Sequence, residues 1–145
     1  MTMTPLARAV QLHKAIGHPV RLRILLMLRE APLCGCQIGA VVKLAASTVS
    51  EHLSELKKAG LVIEKKDGRW VEYRLVDDAA TEALLDAISP GFERDATVRA
   101  DAVLVKALRR VPLEQLCGVG LDLSQLEQPS VAAALEKAGK ILSAG

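Results

Sequence analysis

A helix-forming segment followed at once by a short basic hairpin lies near the middle of this 145-residue chain. Apolar residues recur at helical spacing from Thr48 to Ala59, and Ser47 offers a hydroxyl that suits the N-cap of such a helix. Two β-prone stretches follow at 62–66 and 69–75, and Asp67-Gly68 between them is typical of a two-residue hairpin turn. This order predicts a winged helix-turn-helix, in which a recognition helix precedes a hairpin called the wing.

Helical periodicity and helix-breaking residues predict further helices on both sides of this unit. A proline stands at the first position of the first two helices, where its missing N–H is tolerated. The chain is therefore predicted to be mainly α with a two-stranded β-hairpin wing. The other predicted helices are Pro5–Ile16, Pro19–Arg29, Cys36–Lys43, Ala79–Ile88 capped by Asp77, Glu93–Arg110, a short turn within 113–120, and Ser130–Leu142 capped by Ser130.

Length and composition bound how these helices pack. A chain of this length can bury a single core, and half of its residues are hydrophobic although only three are aromatic. The break after Ser89 predicts a winged helix-turn-helix domain at 1–89 and a C-terminal helical extension at 90–145. The apolar faces of the N-terminal and C-terminal helices exceed what one small core needs. We therefore expect a homodimer through these helices, with the extension also a candidate contributor of a ligand.

Positive charge is concentrated around the predicted wing rather than spread over the molecule. The formal net charge is only +2. Between Lys57 and Arg74, however, six basic residues stand against three acidic ones. Such a local patch is typical of a compact protein that neutralises a few phosphates of a nucleic acid.

The N-terminus and the cysteine content indicate the cytoplasm. No basic region followed by an apolar stretch opens the chain, and no run of about 18 apolar residues occurs in it. In a reducing compartment, three cysteines are more compatible with thiols or metal ligands than with a disulfide framework. We therefore expect a cytoplasmic protein that does not contact the membrane.

The start of the recognition helix and the wing carry the candidate DNA contacts. Hydroxyl side chains at a helix N-terminus accompany backbone N–H groups that favour phosphate, and a glutamate can accept from a cytosine amino group. Wing cations would reach the DNA backbone or the minor groove. One short helix reads few bases, so we expect a twofold dimer on double-stranded operator DNA, with recognition helices about 34 Å apart. The candidates are Ser47, Thr48, Ser50, Glu51, Lys65, Lys66, Arg69 and Arg74.

Several segments, in the right order and at the right spacing, resemble the ArsR (arsenic-repressor-like) family of bacterial metalloregulators. The resemblance implies a homodimeric winged-helix repressor that holds a promoter shut until a metal or metalloid binds. It extends over about residues 10–88. The segments that carry it are 18–25, 33–38, 47–53, 59–62 and 67–75.

The cysteines are the ligands that this resemblance implies. The family's usual metalloid motif is Cys-Val-Cys-Asp-Leu-Cys, and this chain has Cys34-Gly-Cys36-Gln-Ile-Gly39, which keeps two of the three thiols. Trivalent arsenic and antimony are soft and prefer three sulfur ligands. Cys117 is the candidate third ligand, from the same chain or from the other protomer. The alternatives are a two-thiol site and a Cys117 that is simply buried as an apolar residue.

The spacing of the first two thiols restricts how they can bind one ion. Residues two apart on an α-helix point about 200° away from each other. Cys34 and Cys36 can therefore share an ion only at the frayed start of the third helix, or if binding unwinds its first turn. That helix supports the recognition helix, so strain on it offers a route from metalloid binding to DNA release.

The predicted function is a repressor that binds operator DNA as a dimer and releases it on binding arsenite or antimonite, with no permanently bound cofactor. The alternatives are a cadmium-, lead- or redox-responsive repressor of the same fold and a winged helix used for protein contact. The family's zinc site on the helix after the wing has no match, because the histidines are His13, His18 and His52. The sequence has no phosphate loop, no Ser-His-Asp set and no distinctive carboxylate pair, so nothing in it predicts an enzyme.

Overall fold

Helices that precede and follow a small sheet along the chain make up most of the fold. The computed structural model describes residues 3–118 and 122–145, and the predicted class, mainly α with a hairpin wing, is confirmed. The helices are α1 Pro5–Ile16, α2 Pro19–Glu30, α3 Gly35–Val42, α4 Ala46–Lys58, α5 Ala79–Ile88, α6 Ala96–Leu108, α7 Leu113–Gly118 and α8 Pro129–Ala144. The strands are β1 Leu33–Cys34, β2 Val62–Asp67 and β3 Trp70–Leu75, and short 3-10 turns lie at Phe92–Arg94 and Leu123–Gln125.

Local sequence determines where the first two helices begin. Pro5 and Pro19 occupy their first turns, where a backbone N–H has no helical partner in any case. The side chain of Thr4 accepts a hydrogen bond from the Ala7 N–H in the first turn of α1, and that of His18 accepts one from the Val20 N–H in the first turn of α2. Both predicted helices are confirmed, and α2 extends one residue further, to Glu30.

The recognition helix α4 begins earlier than predicted. Ala45 has extended backbone angles, φ −60° and ψ 149°, and occupies the N-cap position without a side-chain hydrogen bond. Ser47 therefore lies inside the first turn, and its prediction as the N-cap is wrong. Val49, Leu53 and Leu56 are buried in the core and determine how this helix lies. Their burial contributes about 1.5–3 kcal/mol for each large side chain and anchors α4 to the core.

The turn between α3 and α4 contains a lysine whose backbone is in the left-handed helical region. Within the described part of the chain, Lys43 is the one residue other than glycine with a positive φ, 57°. It ends α3, and its backbone N–H donates to the carbonyl of Gly39 at 2.9 Å. A residue with a Cβ pays a steric cost of about 1–2 kcal/mol in this conformation.

Glycine at position 43 is therefore expected to stabilise the protein. Lys43→Gly should raise the free energy of unfolding by about 0.5–1 kcal/mol, because part of the relieved strain is offset by the freer unfolded chain. Urea denaturation followed by circular dichroism measures the change. Lys43→Ala is the matched control, since alanine keeps the Cβ. A glycine variant no more stable than the alanine variant would contradict the prediction.

A third strand joins the predicted hairpin to the cysteine pair. The sheet is antiparallel in the order β1-β3-β2, with Leu33 opposite Tyr73 and Cys34 opposite Glu72. Strand β1 has only two residues, so no alternation in the sequence predicts it. Its pairing places Cys34 directly beside the wing.

The hairpin turn lies one residue later than predicted. Asp67 pairs with Trp70, so Gly68 and Arg69 form the two-residue loop. Gly68 has φ 60° at the first loop position, as the favoured type II′ turn requires. Arg69 consequently stands at the tip of the wing.

The C-terminal helices pack onto the N-terminal half through α6. Helix α6 contacts α2 and α3 and also packs against α8, and one aliphatic core extends over both halves. Arg23 on α2 and the buried Asp101 on α6 form a two-bond ion pair across this contact. Of the short turn predicted within 113–120, residues 113–118 are helical, whereas 119 and 120 lie outside the described residues. None of the described helices has the length and apolarity to cross a membrane.

Three helix starts after the wing differ from prediction. Asp78 rather than Asp77 caps α5, since its carboxylate accepts from the second N–H of that helix at 2.9 Å. The helix predicted from Glu93 is divided, and Asp95 caps its main part, α6. Ser130 does not cap α8, because the proline before it already occupies the first helical position.

Candidate metalloid site and DNA interface

The three thiols of the chain line one cavity. It has a volume of about 440 Å³ and lies between the start of α3, the recognition helix, the wing and α7. Thiol, aromatic and aliphatic side chains form most of its wall. The lining residues are Cys34, Gly35, Cys36, Ala46, Val49, Ser50, Leu53, Arg69, Trp70, Val71, Tyr73 and Cys117.

Cys34 and Cys36 lie at the very start of α3. Cys34 ends β1 and occupies the N-cap position with extended backbone angles, and Cys36 is the second helical residue. The backbone N–H of Cys34 donates to Oε1 of Gln37 at 2.8 Å, which holds this entry to the helix. No regular helix runs through both cysteines, so the 200° separation expected on a continuous helix does not apply to them.

Cys117 reaches the pair from the same chain. It lies on α7, which packs against α3, and its thiol hydrogen-bonds with that of Cys36. Cys34 is buried, whereas Cys36 and Cys117 are half-buried. Within one chain, Cys117 therefore already adjoins Cys36.

The cavity keeps two of its thiols protonated. Burial raises the pKa of Cys34, and the carboxylate of Glu72 raises it further. Burial also raises the pKa of Cys117 to about 12, with a further contribution from its hydrogen bond to Cys36. Both groups are therefore thiols rather than thiolates near neutral pH.

The thiols adjoin one another but are not gathered at bonding distance from a common point. Among residues 3–118 and 122–145, no three His, Cys, Asp or Glu side chains already lie close enough together to hold a metal ion. The donor chemistry nevertheless fits a soft ion that prefers sulfur. Binding one would draw α3, β1 and α7 together.

The predicted DNA contacts lie at the start of α4 and on the wing, and most of them are exposed. Ser47, Ser50 and Glu51 are exposed at the start of α4, and Thr48 is half-buried there. On the wing, Lys65, Lys66 and Arg69 are exposed. Arg74 is half-buried, and its guanidinium pairs with Glu72 at 2.7 Å. It is therefore turned toward its own strand.

Two side chains of α1 hold the far end of the recognition helix. The guanidinium of Arg8 donates to the carbonyl of Ala59, and the Gln11 amide donates to the carbonyl of Lys58 at 3.2 Å. These carbonyls belong to the last turn, where no intrahelical N–H remains to pair with them. The sequence carries no local signal for these contacts, because the partners lie about fifty residues apart.

Another contact that sequence reasoning missed lies at the wing tip. The Arg69 guanidinium carbon lies 5.1 Å from the centroid of the Trp70 ring, and its Nη2 lies 3.8 Å from Oε1 of Glu114. Glu114 belongs to α7, the helix that also carries Cys117. It reads in the sequence as an ordinary solvated carboxylate, so only the fold reveals its position.

Helix α1 exposes an apolar face. Leu6 is 77% exposed, and Val10 is 45% exposed one turn further along the helix. Residues four apart on a helix lie on one side, so the two form a single stripe. Large apolar side chains left together in water are typical of a surface that another protein covers.

The small sheet, the exposed recognition-helix face and the basic wing define a winged-helix DNA-binding transcriptional regulator. Residues 18–64 match the family model described as "Bacterial regulatory protein, arsR family". The chain belongs to the ArsR family. This class consists of regulators rather than enzymes, as the sequence predicted.

Known relatives and a solved structure agree with this placement. The uncharacterised HTH-type transcriptional regulator MJ1325 of Methanocaldococcus jannaschii is 42% identical over 78 residues, 53% of this chain and 88% of that relative. The arsenic resistance transcriptional regulator ArsR1 of Pseudomonas putida is 32% identical over 90 residues, 57% of this chain and 70% of its own length. The structure of HlyU from Vibrio cholerae superposes with a TM-score of 0.56 at 30% identity, covering 61% of this chain and 96% of HlyU.

Proposed function

We propose that this protein is a homodimeric repressor that leaves its operator when trivalent arsenic or antimony binds Cys34, Cys36 and Cys117. The observation that carries the proposal is the convergence of the chain's three thiols, from β1, α3 and α7, on one cavity. The similarity to an arsenic resistance regulator supports the same ligand class.

The protonated state of Cys34 and Cys117 favours a metalloid hydroxide over a divalent cation. Arsenous acid, As(OH)₃, condenses with three thiols: three S–H and three As–O bonds break, three As–S bonds form, and three water molecules leave. No proton is released. A divalent cation instead displaces a proton from each thiol it binds. That displacement is costly at Cys34 and Cys117, whose pKa values are raised.

This difference predicts a nearly pH-independent affinity for arsenite and a pH-dependent affinity for a divalent cation. Between pH about 6 and about 8, the affinity for arsenite should change by less than about threefold, while that for Cd²⁺ should rise about tenfold per pH unit for each proton displaced. The sign follows from raised thiol pKa values, which keep the protons bound throughout this range. Trp70 lines the cavity, so its fluorescence can follow both titrations. Arsenite affinity that climbs as steeply as that of Cd²⁺ would contradict the proposal.

The cavity wall links ligand binding to the recognition helix α4. Val49, Ser50 and Leu53 of the recognition helix form one side, and Cys36 of the supporting helix α3 forms another. Gathering three sulfurs around one ion closes this space and shifts α3 and α7 against α4. The ligand thereby favours a state of the protein in which α4 no longer fits the groove, and a coupling of about 5–150-fold in affinity is typical of such linkage.

Dimerisation supplies the second recognition helix. We assign the exposed stripe of Leu6 and Val10 on α1 to this interface, with residues 90–145 as a helical extension that carries the third thiol. We assign DNA contact to Ser47, Thr48, Ser50 and Glu51 of α4 and to the wing cations Lys65, Lys66, Arg69 and Arg74. Arg74 must leave Glu72 to take part.

A redox-responsive repressor is the second candidate. The thiols of Cys36 and Cys117 are hydrogen-bonded neighbours, so an oxidant that removes two electrons and two protons could join them in a disulfide. The raised pKa of Cys117 opposes this reading, because the thiolate is the reactive form. Metalloid binding needs no thiolate and is therefore the better match.

The test is operator release in vitro. The operator is first selected from a random DNA pool with the ligand-free protein, and occupancy is then followed by mobility shift under added arsenite, antimonite, Cd²⁺ or hydrogen peroxide. Release by arsenite or antimonite at concentrations equivalent to the protein supports the proposal. Release by peroxide alone would replace it with the redox reading.

A further inference from the structure

The wing tip and the helix of the third thiol are joined by an ion pair. Arg69 stands in the two-residue loop of the hairpin, and its Nη2 lies 3.8 Å from Oε1 of Glu114 on α7. Trp70 lies beneath the same guanidinium. The outermost cation of the wing therefore faces the C-terminal extension of its own chain.

The same short helix carries Glu114 and Cys117. Residues three apart are neighbours on a helix surface, so the position of one side chain restricts the other. Arg69, Trp70 and Cys117 also line the thiol cavity together. Whatever fixes Cys117 in that cavity also fixes Glu114 beside Arg69.

We propose that Glu114 is a positioning residue that takes Arg69 away from operator phosphate when Cys117 is coordinated. The inference rests on the proposed function, because thiol coordination is what holds this otherwise weak contact in place. It also explains how an ion held by three sulfurs acts on DNA contacts at the wing, in addition to any shift of the recognition helix.

Arg69 can pair with either DNA phosphate or the Glu114 carboxylate. Solvent screening of the exposed pair and the restraint on α7 decide between them. Arg69 is 74% and Glu114 63% exposed at the side chain, and an ion pair so exposed contributes little by itself. In the ligand-free protein, DNA phosphate therefore competes successfully for Arg69. Coordination of Cys117 tethers α7 to α3 and β1, and the local concentration of the Glu114 carboxylate around Arg69 then rises sharply. The same carboxylate repels an approaching phosphate.

The salt dependence of DNA binding reports this exchange directly. Each phosphate contact adds about 0.9 to the slope of log affinity against log salt concentration. Arsenite should lower the slope of the wild-type dimer by about two, one contact for each wing. In Glu114→Gln the slope should stay the same with and without arsenite, because glutamine offers no charge to Arg69.

The test compares Glu114→Gln with Glu136→Gln. Glu136 lies on α8 and pairs with Lys140 at 3.1 Å, so this control removes one carboxylate elsewhere on the extension. Arsenite should weaken operator binding of wild type and control by about 10–100-fold, and that of Glu114→Gln by at least about threefold less. In Arg69→Gln, which cannot make the pair, adding Glu114→Gln should produce no further change.

Arsenite binding is measured in parallel through bound arsenic per protomer after gel filtration. Glu114→Gln protein that binds arsenic normally but leaves DNA as readily as the control, with the wild-type change in slope, would overturn the role of Glu114 and leave the proposed function standing. Wild-type protein that binds no arsenic would overturn the proposed function itself.

Discussion

Serine in place of Cys36 is expected to keep the protein on its operator at arsenite concentrations that release the wild type. Cys36 is the central thiol, since it sits two residues from Cys34 and hydrogen-bonds with Cys117. A hydroxyl is a poor ligand for a soft metalloid. The loss of about 10–100-fold in DNA affinity that arsenite causes in the wild type should therefore disappear. Mobility shifts with increasing arsenite measure it.

Serine variants of the other two cysteines test which thiols the response requires and how many sulfurs bind the arsenic. Cys34→Ser should fail to respond in the same way, whereas Cys117→Ser should reduce the sulfur coordination of bound arsenic from about three to about two in X-ray absorption. Operator binding without arsenite, together with the circular dichroism spectrum, shows that each variant is folded. Normal release of both Cys34→Ser and Cys36→Ser would end the proposed site, and an unchanged sulfur number in Cys117→Ser would remove that residue from it.

Methionine in place of Arg23 is expected to lower the free energy of unfolding by about 2–4 kcal/mol. Arg23 donates two hydrogen bonds of 2.8 Å to the carboxylate of Asp101, a residue that is only 5% exposed. That hydrogen bonding raises the pKa of the Arg23 guanidinium despite its partial burial. Without Arg23, the Asp101 carboxylate stays buried and unpaired between α2 and α6. Urea denaturation measures the loss.

Two companion variants show whether the stranded carboxylate is the cause. Arg29→Met on the same helix should cost less than about 1 kcal/mol, because its partners Glu82 and Asp86 are exposed. Asp101→Leu combined with Arg23→Met should regain most of the stability, since no unpaired charge remains. A double variant as unstable as Arg23→Met alone would show that the methionine simply packs badly.

Prediction from sequence succeeded where a local rule acts without competition. Pro5 and Pro19 mark helix starts that no tertiary contact opposes, so α1 and α2 appear as predicted. It failed at Ser47, because Ala45 already has the extended backbone angles of the N-cap and Ser47 lies within the first helical turn. It also missed β1, which exists because β3 offers an open edge to the residues around Cys34. Such pairing leaves no periodic pattern in two residues.

The candidate site likewise contains residues that the sequence reveals and residues that only the fold brings together. The Cys34 and Cys36 pair is visible in sequence because its spacing resembles a motif, and the wing cations are visible because they cluster. The approach of Cys117 to that pair is a property of the folded chain, as is the approach of Glu114 to Arg69. Both depend on how α6 turns the extension back across α3, which the spacing of residues along the chain does not encode.

The location of α7 has an evolutionary consequence. Residues 18–64 match the family model, whereas Cys117 and Glu114 lie on α7, further along the chain. Under the proposed function, exchanging residues 90–145 would change which ligand the protein senses, while the DNA contacts proposed for α4 stayed the same. Ligand specificity and operator specificity could then diversify independently.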